Sequence, residues 1–297
     1  MGANNMKILV CGVGSMGWNH ARVCSELGVL GGICDSDANQ SIRVAEQFSV
    51  SGYSDIESAM EFGEFDAAII ATPTTTHYEM AKKALELGLH VLVEKPIVKE
   101  ISKGEELISI ARESGLQLSV GHIERHNPVI QRAKLHLDKG DWGEIITINS
   151  RRVSAFTGRI TDVGAILDTG IHDIDNLIYL MGSKPTQVFA SGGSFNNLDH
   201  EDHANIVVNF SNGKSGIIEV NWITPMKVRK ISLTCDSAFV DIDYMDQEIV
   251  VSSSDFMELD NPNQFQPKIQ FESKTIAVEK REPLLLEIQD FINCIET

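Results

Sequence analysis

Short apolar runs alternate with amphipathic segments over residues 1–121. Five apolar runs are predicted strands: Lys7–Cys11, Val29–Cys34, Asp66–Ala71, His90–Glu94 and Leu116–Val120. Helices are predicted between them, over Met16–Leu27, Ala38–Phe48, Ile56–Met60, His77–Leu87 and Gly104–Glu113. Strands that alternate with helices of this length form a parallel sheet with helical crossovers. The pattern therefore predicts an α/β domain with a parallel, doubly wound sheet over residues 1–121.

The pattern changes after residue 121. Helices are predicted over Pro128–Leu137 and Ile171–Leu180, and a strand over Ile145–Val153. Six further strands follow with turns between them: Val188–Ser191, Ala204–Phe210, Gly216–Asn221, Arg229–Thr234, Phe239–Ile242 and Glu248–Val251. This order is typical of an α+β domain with a mostly antiparallel sheet, and the few helices leave one sheet face open. We assign this second domain to residues 122–297, including a last helix predicted from Pro283 to the end.

Composition and charge narrow the classes of partner. The chain has 42 acidic and 25 basic residues, a formal net charge of −17, which disfavours nucleic acid and anionic lipid surfaces as partners. No apolar run is long enough to span a membrane, and the amino terminus lacks signal-peptide features. The five cysteines form no C-x-x-C pair, which disfavours zinc knuckles and a disulfide framework. We therefore predict a cytoplasmic protein without a bound metal.

The strongest local motif is the glycine-rich turn Gly12–Gly17, which directly follows one predicted strand and directly precedes a helix. Glycines in this pattern allow a tight turn and close approach of a pyrophosphate, and the helix N-terminus offers backbone N–H groups to it. Asp35 ends the next strand, where a carboxylate can accept from both ribose hydroxyls and would repel a 2′-phosphate. NAD is therefore favoured over NADP, although a glycine turn without a ligand is the alternative. The predicted contacts are Gly12, Gly14, Ser15, Met16, Gly17, Asp35 and Ser36.

Two further segments follow the third and fourth predicted strands, at the strand ends where ligands of doubly wound sheets bind. They are Thr72–His77 and Glu94-Lys95-Pro96. A lysine at this place could donate to a substrate oxygen or stabilise a developing alkoxide, whereas the simpler reading is a surface lysine beside a turn proline. The predicted cofactor contacts here are Thr72, Pro73, His77, Glu94 and Lys95.

Asp168, His172 and Asp175 are spaced i, i+4 and i+7, so they would share one face of a helix. A carboxylate four residues from an imidazole can orient it as a general base. A metal site is a competing interpretation, because histidine with carboxylates also suits zinc or manganese. A third interpretation is a cluster of acidic residues at a helix N-terminus. Asp173 is predicted to face elsewhere and to serve only this last purpose.

Taken in order, these motifs resemble the Gfo/Idh/MocA family of sugar oxidoreductases. The matching elements are Gly12-x-Gly14-x-x-Gly17, Asp35, Thr72-Pro73, Glu94-Lys95-Pro96 and Asp168-x-Gly170-x-His172-x-x-Asp175. The resemblance implies a Rossmann domain followed by an open-faced sheet domain, with Lys95, Asp168 and His172 as the catalytic group. It also implies a cis peptide bond between Lys95 and Pro96, a homodimer or homotetramer built on the open sheet, and a C-terminus shortened relative to the family.

A narrower resemblance concerns the substrate. Gly121–Pro128, Arg151–Gly164 and Asn221–Arg229 are similar to segments of a branch that oxidises UDP-N-acetylglucosamine at C3, although His126 stands where phenylalanine is usual. The predicted substrate contacts are Glu124, Arg125, Asn127, Arg152, Arg159, Asp175 and Lys227. With Arg229, the basic residues could bind a diphosphate by charge-assisted hydrogen bonds, or they could be solvated surface charges.

The sequence thus predicts reversible hydride transfer between a nicotinamide and a sugar hydroxyl, with C3 of a UDP-N-acetylhexosamine as the first choice. His172 would take the hydroxyl proton, Asp168 would orient His172, and Lys95 would stabilise charge on the reacting oxygen. An inositol or another polyol is an alternative substrate. A regulator that senses NAD and a sugar without turnover is an alternative of another class.

Overall fold

The computed structural model describes residues 6–155, 163–196, 199–256 and 269–297. Its contacts divide the chain into two compact units. One unit runs to Ile123 and resumes at Glu282–Thr297, and the other spans Glu124–Arg281. Each unit is built on its own sheet, and the two are described separately.

The sheet of the first unit has six parallel strands in the order β3-β2-β1-β4-β5-β6. They are β1 (Ile8–Cys11), β2 (Leu30–Cys34), β3 (Ser51–Tyr53), β4 (Ala67–Ile70), β5 (His90–Glu94) and β6 (Leu118–Gly121). From β1 the chain adds β2 and β3 on one side, and it then crosses to the other side of β1 to add β4, β5 and β6. The strand order therefore reverses beside β1, which is where such sheets bind ligands. The parallel sheet is confirmed, with β3 as an addition that the apolar pattern did not predict.

Helices cover both faces of this sheet. They are α1 (Ser15–Glu26), α2 (Ala38–Phe48), α3 (Ile56–Phe62), α4 (His77–Glu86) and α5 (Ile101–Ser114). Side chains of β1 alternate between the faces: Ile8 and Val10 pack with α1 and α2, whereas Leu9 and Cys11 pack with α3, α4 and α5. Burial on both faces explains why the strands are continuously apolar.

The second unit is an eight-stranded sheet in the order β14-β13-β12-β11-β7-β10-β9-β8, with two helices. The helices are α6 (Pro128–Lys139) and α7 (Ile171–Met181). The strands are β7 (Ile145–Ala155), β8 (Pro185–Gly193), β9 (His203–Phe210), β10 (Ser215–Asn221), β11 (Ile223–Cys235), β12 (Phe239–Asp243), β13 (Glu248–Phe256) and β14 (Ile269–Ile276). All neighbouring strands are antiparallel except β7 and β10, which confirms the mostly antiparallel sheet.

One face of this sheet packs against both helices. Ile130 of α6 and Leu177 of α7 belong to the same buried cluster as Ile148 and Ile218 of the sheet. Phe189 of β8, which pairs with Val207 of β9, lies on the opposite face and is largely exposed. The helices therefore cover one sheet face, as the sequence predicts.

The last helix, α8 (Pro283–Glu296), corrects the predicted domain assignment. The sequence places this segment in the second domain, but Leu284, Ile288 and Phe291 are buried in the core shared with α1 and β1. Arg22 of α1 also pairs with Glu282 at the start of this helix. The helix belongs to the first unit because its apolar stripe completes that core.

Candidate active site

The glycine-rich turn of the first unit is shaped by two close approaches. Gly12 has a φ of +83°, and a Cβ there would lie 2.8 Å from Thr72. A Cβ on Gly17 would lie 1.7 Å from the carbonyl oxygen of Gly12. A Cβ on Gly14, by contrast, would meet nothing within 4 Å among the described residues. Gly12 and Gly17 thus allow the turn to pack, whereas Gly14 borders open space into which a ligand can reach.

The N-terminus of α1 and the end of β2 complete this part of the site. Gly14 is the N-cap of α1 and carries no side chain to bond the first-turn N–H groups, which suits a phosphate at the positive end of the helix. Asp35 accepts from the backbone N–H of Val13 at 2.8 Å and from that of Asp37 at 2.9 Å. The carboxylate is therefore fixed beside the glycine turn, half-buried, at the place expected of a ribose ligand. These residues fit NAD.

His77 lies beneath the two other predicted loops. It is 1 % exposed, and its ring nitrogens lie 2.8 Å from the carbonyl oxygen of Pro96 and 2.9 Å from that of Thr72. The prediction that His77 contacts the cofactor is corrected, because its ring is taken up in holding the two loops together. Thr72 and Lys95 are half-buried on these loops. The Lys95–Pro96 peptide bond is cis, as the resemblance implies.

Glu94 points into the unit, although the sequence assigned it to the cofactor. Its side chain is 9 % exposed, its Oε1 lies 2.9 Å from Nε2 of His20, and its Oε2 accepts from the backbone N–H of Lys95 at 3.1 Å. Burial alone would raise the pKa of Glu94, but the hydrogen bond and charge of His20 outweigh it and the pKa is lowered. The Glu94 carboxylate thus holds the backbone of Lys95 in place from the buried side of the turn.

In the second unit, Asp168 lies on a π-helical turn, Ile166–Gly170, and His172 lies in the first turn of α7. The predicted spacing assumed one regular α-helix, and the π turn replaces its first turn. Both side chains are half-buried. π turns inside helices occur often at functional sites, which agrees with the assignment of Asp168.

Glu201 holds the start of this turn and was missed by sequence reasoning. Its carboxylate accepts from the backbone N–H of Ile166 at 3.0 Å, and its carbonyl oxygen accepts from that of Ala165 at 2.9 Å. A negative charge at a helix N-terminus is stabilising. Glu201 therefore acts as an N-cap supplied from the loop between β8 and β9.

Arg125 and Asp175, both predicted to bind substrate, pair with each other. Two parallel hydrogen bonds of 2.7 and 2.6 Å join the guanidinium to the carboxylate. The guanidinium also lies 5.0 Å from the ring centre of Tyr179. Their charges largely neutralise one another, so neither presents an unbalanced charge to a ligand.

Arg152 is a second correction to the predicted substrate contacts. It is 4 % exposed, Nε pairs with Asp173, and Nη1 donates to Glu124 at 2.9 Å. Burial would lower the pKa of Arg152, but the charges of Asp173 and Glu124 raise it. Asp173, predicted to be a surface helix-cap residue, is fully buried in this cluster. Arg152 is an internal ion-pair partner because the buried carboxylates of Glu124 and Asp173 both reach its guanidinium.

Asn127 and Arg159 complete the predicted contacts. Asn127 is buried, accepts from the backbone N–H of Val129 at 3.3 Å and donates to the carbonyl oxygen of Tyr244 at 3.3 Å. This corrects its predicted role, because the side chain caps α6 instead of facing a ligand. Arg159 lies outside the described residues.

Arg229 and Lys227 of β11 bring two further positive charges close to Arg152. Arg229 is directly opposite Arg152 in the pairing of β11 with β7, and its Nη1 lies 4.0 Å from Oε1 of Glu124. Burial and the charge of Arg152 lower the pKa of Arg229. The charge of Arg229, burial and the charge of Arg152 lower the pKa of Lys227. Like charges placed across neighbouring strands are unfavourable, so this site is suited to an added anion.

The described ranges also bear on metal binding and on membrane insertion. Within them, no group of three or more histidine, cysteine, aspartate or glutamate side chains is arranged to hold a metal ion. In the same ranges, no helix has the length and apolar character needed to cross a bilayer.

Comparisons with known proteins agree with this architecture. The model of the oxidoreductase family with an NAD-binding Rossmann fold matches residues 6–122, and that of the GFO/IDH/MocA C-terminal domain matches residues 130–240. The chain is 28 % identical to a UDP-N-acetylglucosamine 3-dehydrogenase of Acidithiobacillus ferrooxidans over 98 % of this chain and 89 % of that protein. It is 28 % identical to the NAD-dependent scyllo-inositol 2-dehydrogenase of Bacillus subtilis strain 168, over 75 % of this chain and 69 % of that protein.

A solved structure of the Acidithiobacillus ferrooxidans enzyme superimposes with a TM-score of 0.87 at 27 % identity, over 98 % of this chain and 89 % of that one. The two family models together span most of the chain, one on each unit. The glycine turn and Asp35 of the first unit fit the dinucleotide that its model describes. The chain is a member of the Gfo/Idh/MocA family of oxidoreductases, and NAD is its cofactor.

Proposed function

We propose that the protein oxidises the C3 hydroxyl of a UDP-N-acetylhexosamine, reversibly, with NAD. The observation that carries the choice of an anionic substrate is the like-charged pair Arg152 and Arg229 across β7 and β11. Arg152 is paired with Glu124 and Asp173, and Arg229 and the exposed Lys227 lie beside it as like charges. A diphosphate would relieve the repulsion among these three cations through charge-assisted hydrogen bonds.

The reaction assigns one task to each proposed catalytic side chain. When bound, NAD supplies the acceptor for the hydride that leaves C3. His172 takes the proton of the C3 hydroxyl as general base, and Asp168 orients its imidazole. Lys95 donates to the reacting oxygen and stabilises its negative charge while the carbonyl forms. The products are a 3-keto sugar nucleotide, NADH and a proton.

The relative from Acidithiobacillus ferrooxidans supports this substrate because its similarity extends over nearly the whole chain. An unphosphorylated polyol is the second candidate. It is favoured by the relative from Bacillus subtilis and by the ion pair between Arg125 and Asp175, which leaves less free charge for an anionic ligand.

NADH absorbance with a panel of substrates tests the proposal. We expect turnover with NAD and UDP-N-acetylglucosamine and none with inositols, and the opposite result would favour the polyol. Arg229→Ala should raise KM for the sugar nucleotide about tenfold to a hundredfold, the worth of one charged hydrogen bond. Arg151→Ala is a matched control, because this exposed arginine of β7 pairs with Glu219 on the other sheet face. Equal effects of the two substitutions would contradict the anion site.

We also propose that a second copy of the chain covers the open sheet face. Phe189, Ile217 and Phe239 lie exposed on strands β8, β10 and β12. Replacing Phe189 and Ile217 with aspartate should convert an oligomer to a monomer in light scattering. A monomeric wild-type protein would contradict this assembly.

A further inference from the structure

The buried polar cluster of the first unit has three titratable side chains, one each on α1, the end of β5 and α8. His20 of α1 is 0 % exposed, Glu94 of β5 is 7 % exposed and Glu287 of α8 is 2 % exposed. Titratable side chains are rarely buried to this degree unless they are paired. The cluster lies directly behind Lys95, the residue that follows Glu94 in the chain.

The Glu94 carboxylate has two anchors. Nε2 of His20 donates to Oε1, and the backbone N–H of Lys95 donates to Oε2. A Cβ on Gly121, the partner of Glu94 in β6, would lie 3.3 Å from this carboxylate, so the strand pairing leaves no spare room around it. The position of the Lys95 main chain is therefore tied to His20 through a single carboxylate.

Glu287 is in the opposite situation. Neither of its carboxyl oxygens has a hydrogen-bond partner among the described residues. It occupies the buried stripe of α8 with Leu284, Ile288 and Phe291. An isolated buried carboxylate is very unfavourable and is relieved by taking up a proton. Burial and the charges of Glu94 and Asp290 raise the pKa of Glu287 well above its usual value.

Two carboxyl groups that repel each other in one buried interior favour a single negative charge between them. The charge belongs on Glu94, because Glu94 receives both hydrogen bonds of the cluster. The proton belongs on Glu287, which receives none in the described part of the chain. The charges of Glu94 and Asp290 act on Glu287, and those of His20 and Lys95 act on Glu94.

We propose that His20 is a positioning residue for Lys95, acting through the ionised Glu94, and that this arrangement requires the neighbouring Glu287 to stay protonated. The inference rests on the proposed function for the role of Lys95 in turnover, but not for the state of the cluster itself. Ionisation of Glu287 would place a second negative charge beside Glu94 and displace the Lys95 turn.

The first test needs no turnover. In protein labelled with ¹⁵N-lysine, His20→Leu should move the backbone amide resonance of Lys95, and the amide should stay in place in His20→Gln, which can still donate. Infrared spectroscopy at neutral pH should show a protonated carboxyl band that Glu287→Gln removes. The matched control is Glu296→Gln, an exposed acid on the same helix. An unmoved Lys95 amide in His20→Leu, or no protonated carboxyl band, would overturn the proposal.

The second test uses kinetics. His20→Leu should lower kcat about tenfold to a hundredfold, as expected of a misplaced catalytic group, with little change in NAD affinity. His20→Gln should recover most of that loss. The alkaline limb of the kcat profile should move to higher pH in Glu287→Gln relative to wild type and to Glu296→Gln, and an unmoved limb would contradict the proposal. If no substrate of the proposed class is turned over, the proposed function fails while the spectroscopic test still decides the state of the cluster.

Discussion

The two units carry their buried charges in opposite ways. In the first unit, the ligand contacts of the glycine turn are backbone groups, and the buried cluster behind them has one histidine and two carboxyl groups. In the second unit, the buried cluster is built of ion pairs, in which Arg152 pairs with Glu124 and Asp173, and Arg229 approaches Glu124. A binding site made of backbone N–H groups can be recognised in a sequence from its glycines. A binding site made of charged side chains depends on which of those charges pair with each other inside the protein, and the spacing of residues in the sequence does not reveal the pairs.

Removal of Arg152 should give the largest effect and should separate structural from ligand-binding arginines. Arg152→Ala leaves Asp173 and Glu124 buried without their cation, so the free energy of unfolding should fall by about 3–5 kcal/mol. Arg151→Ala removes a surface pair and should cost less than about 1 kcal/mol. Chemical denaturation followed by circular dichroism measures both. If Arg152→Ala lowered the free energy of unfolding as little as Arg151→Ala is expected to, the buried ion pairs of Arg152 would not stabilise the fold.

The backbone site of the first unit should respond to a single methyl group. Gly17→Ala should destabilise the protein by about 1–3 kcal/mol, because its Cβ would meet the carbonyl oxygen of Gly12. Gly14→Ala should be far less destabilising, since its Cβ meets no described atom within 4 Å, yet it should weaken NAD binding in calorimetry. Unchanged NAD affinity in Gly14→Ala would contradict the placement of the pyrophosphate.

The buried polar cluster of the first unit should make the free energy of unfolding depend on pH. The pKa of Glu287 is raised in the folded protein. The stability that its protonated form contributes is therefore fully present below about pH 4.3 and is lost as the pH rises through the folded pKa. Glu287→Gln should therefore gain stability over wild type across that window, by about 1.4 kcal/mol for each pKa unit of the shift. Parallel stability curves for the two proteins would contradict a buried neutral acid.

The smallest effect should come from Glu201, the cap of the π turn. Glu201→Gln keeps a hydrogen-bond acceptor but removes the charge at the helix N-terminus, so it should cost about 1 kcal/mol or less. Glu201→Ala should cost more, because it also removes the acceptor for Ile166. Hydrogen exchange at residues 166–172 measures the local opening, and equal exchange in wild type and Glu201→Ala would contradict the capping role.

Most of the fold could be predicted from the sequence because its strands are continuous apolar runs or are separated by clear turns. The strand β3 was missed because Ser51-Gly52-Tyr53 is too short and too polar to form an apolar run. The helix α8 was placed in the wrong unit because an apolar stripe shows that a helix packs, but not against which sheet. Leu284 and Ile288 pack in the core of the first unit, which their spacing alone does not specify.

The candidate site was predicted in part. The glycine turn and Asp35 follow from their context, whereas Arg152 and Asn127 were assigned to substrate because a sequence does not show their internal partners. His20 and Glu287 carried a usable signal, since each is a titratable residue on the apolar stripe of an amphipathic helix. Glu201 carried none, because it lies in a loop and reaches a helix 35 residues away in the chain.

Transfer of a labelled hydrogen tests the central claim most directly. UDP-N-acetylglucosamine deuterated at C3 is incubated with the enzyme and NAD, and the reduced cofactor is analysed by mass spectrometry. The proposed mechanism predicts that wild type forms NADH carrying one deuterium, and that Lys95→Ala and His172→Ala form much less of it. Reduced cofactor without deuterium, or no reduction with this sugar nucleotide, would contradict it.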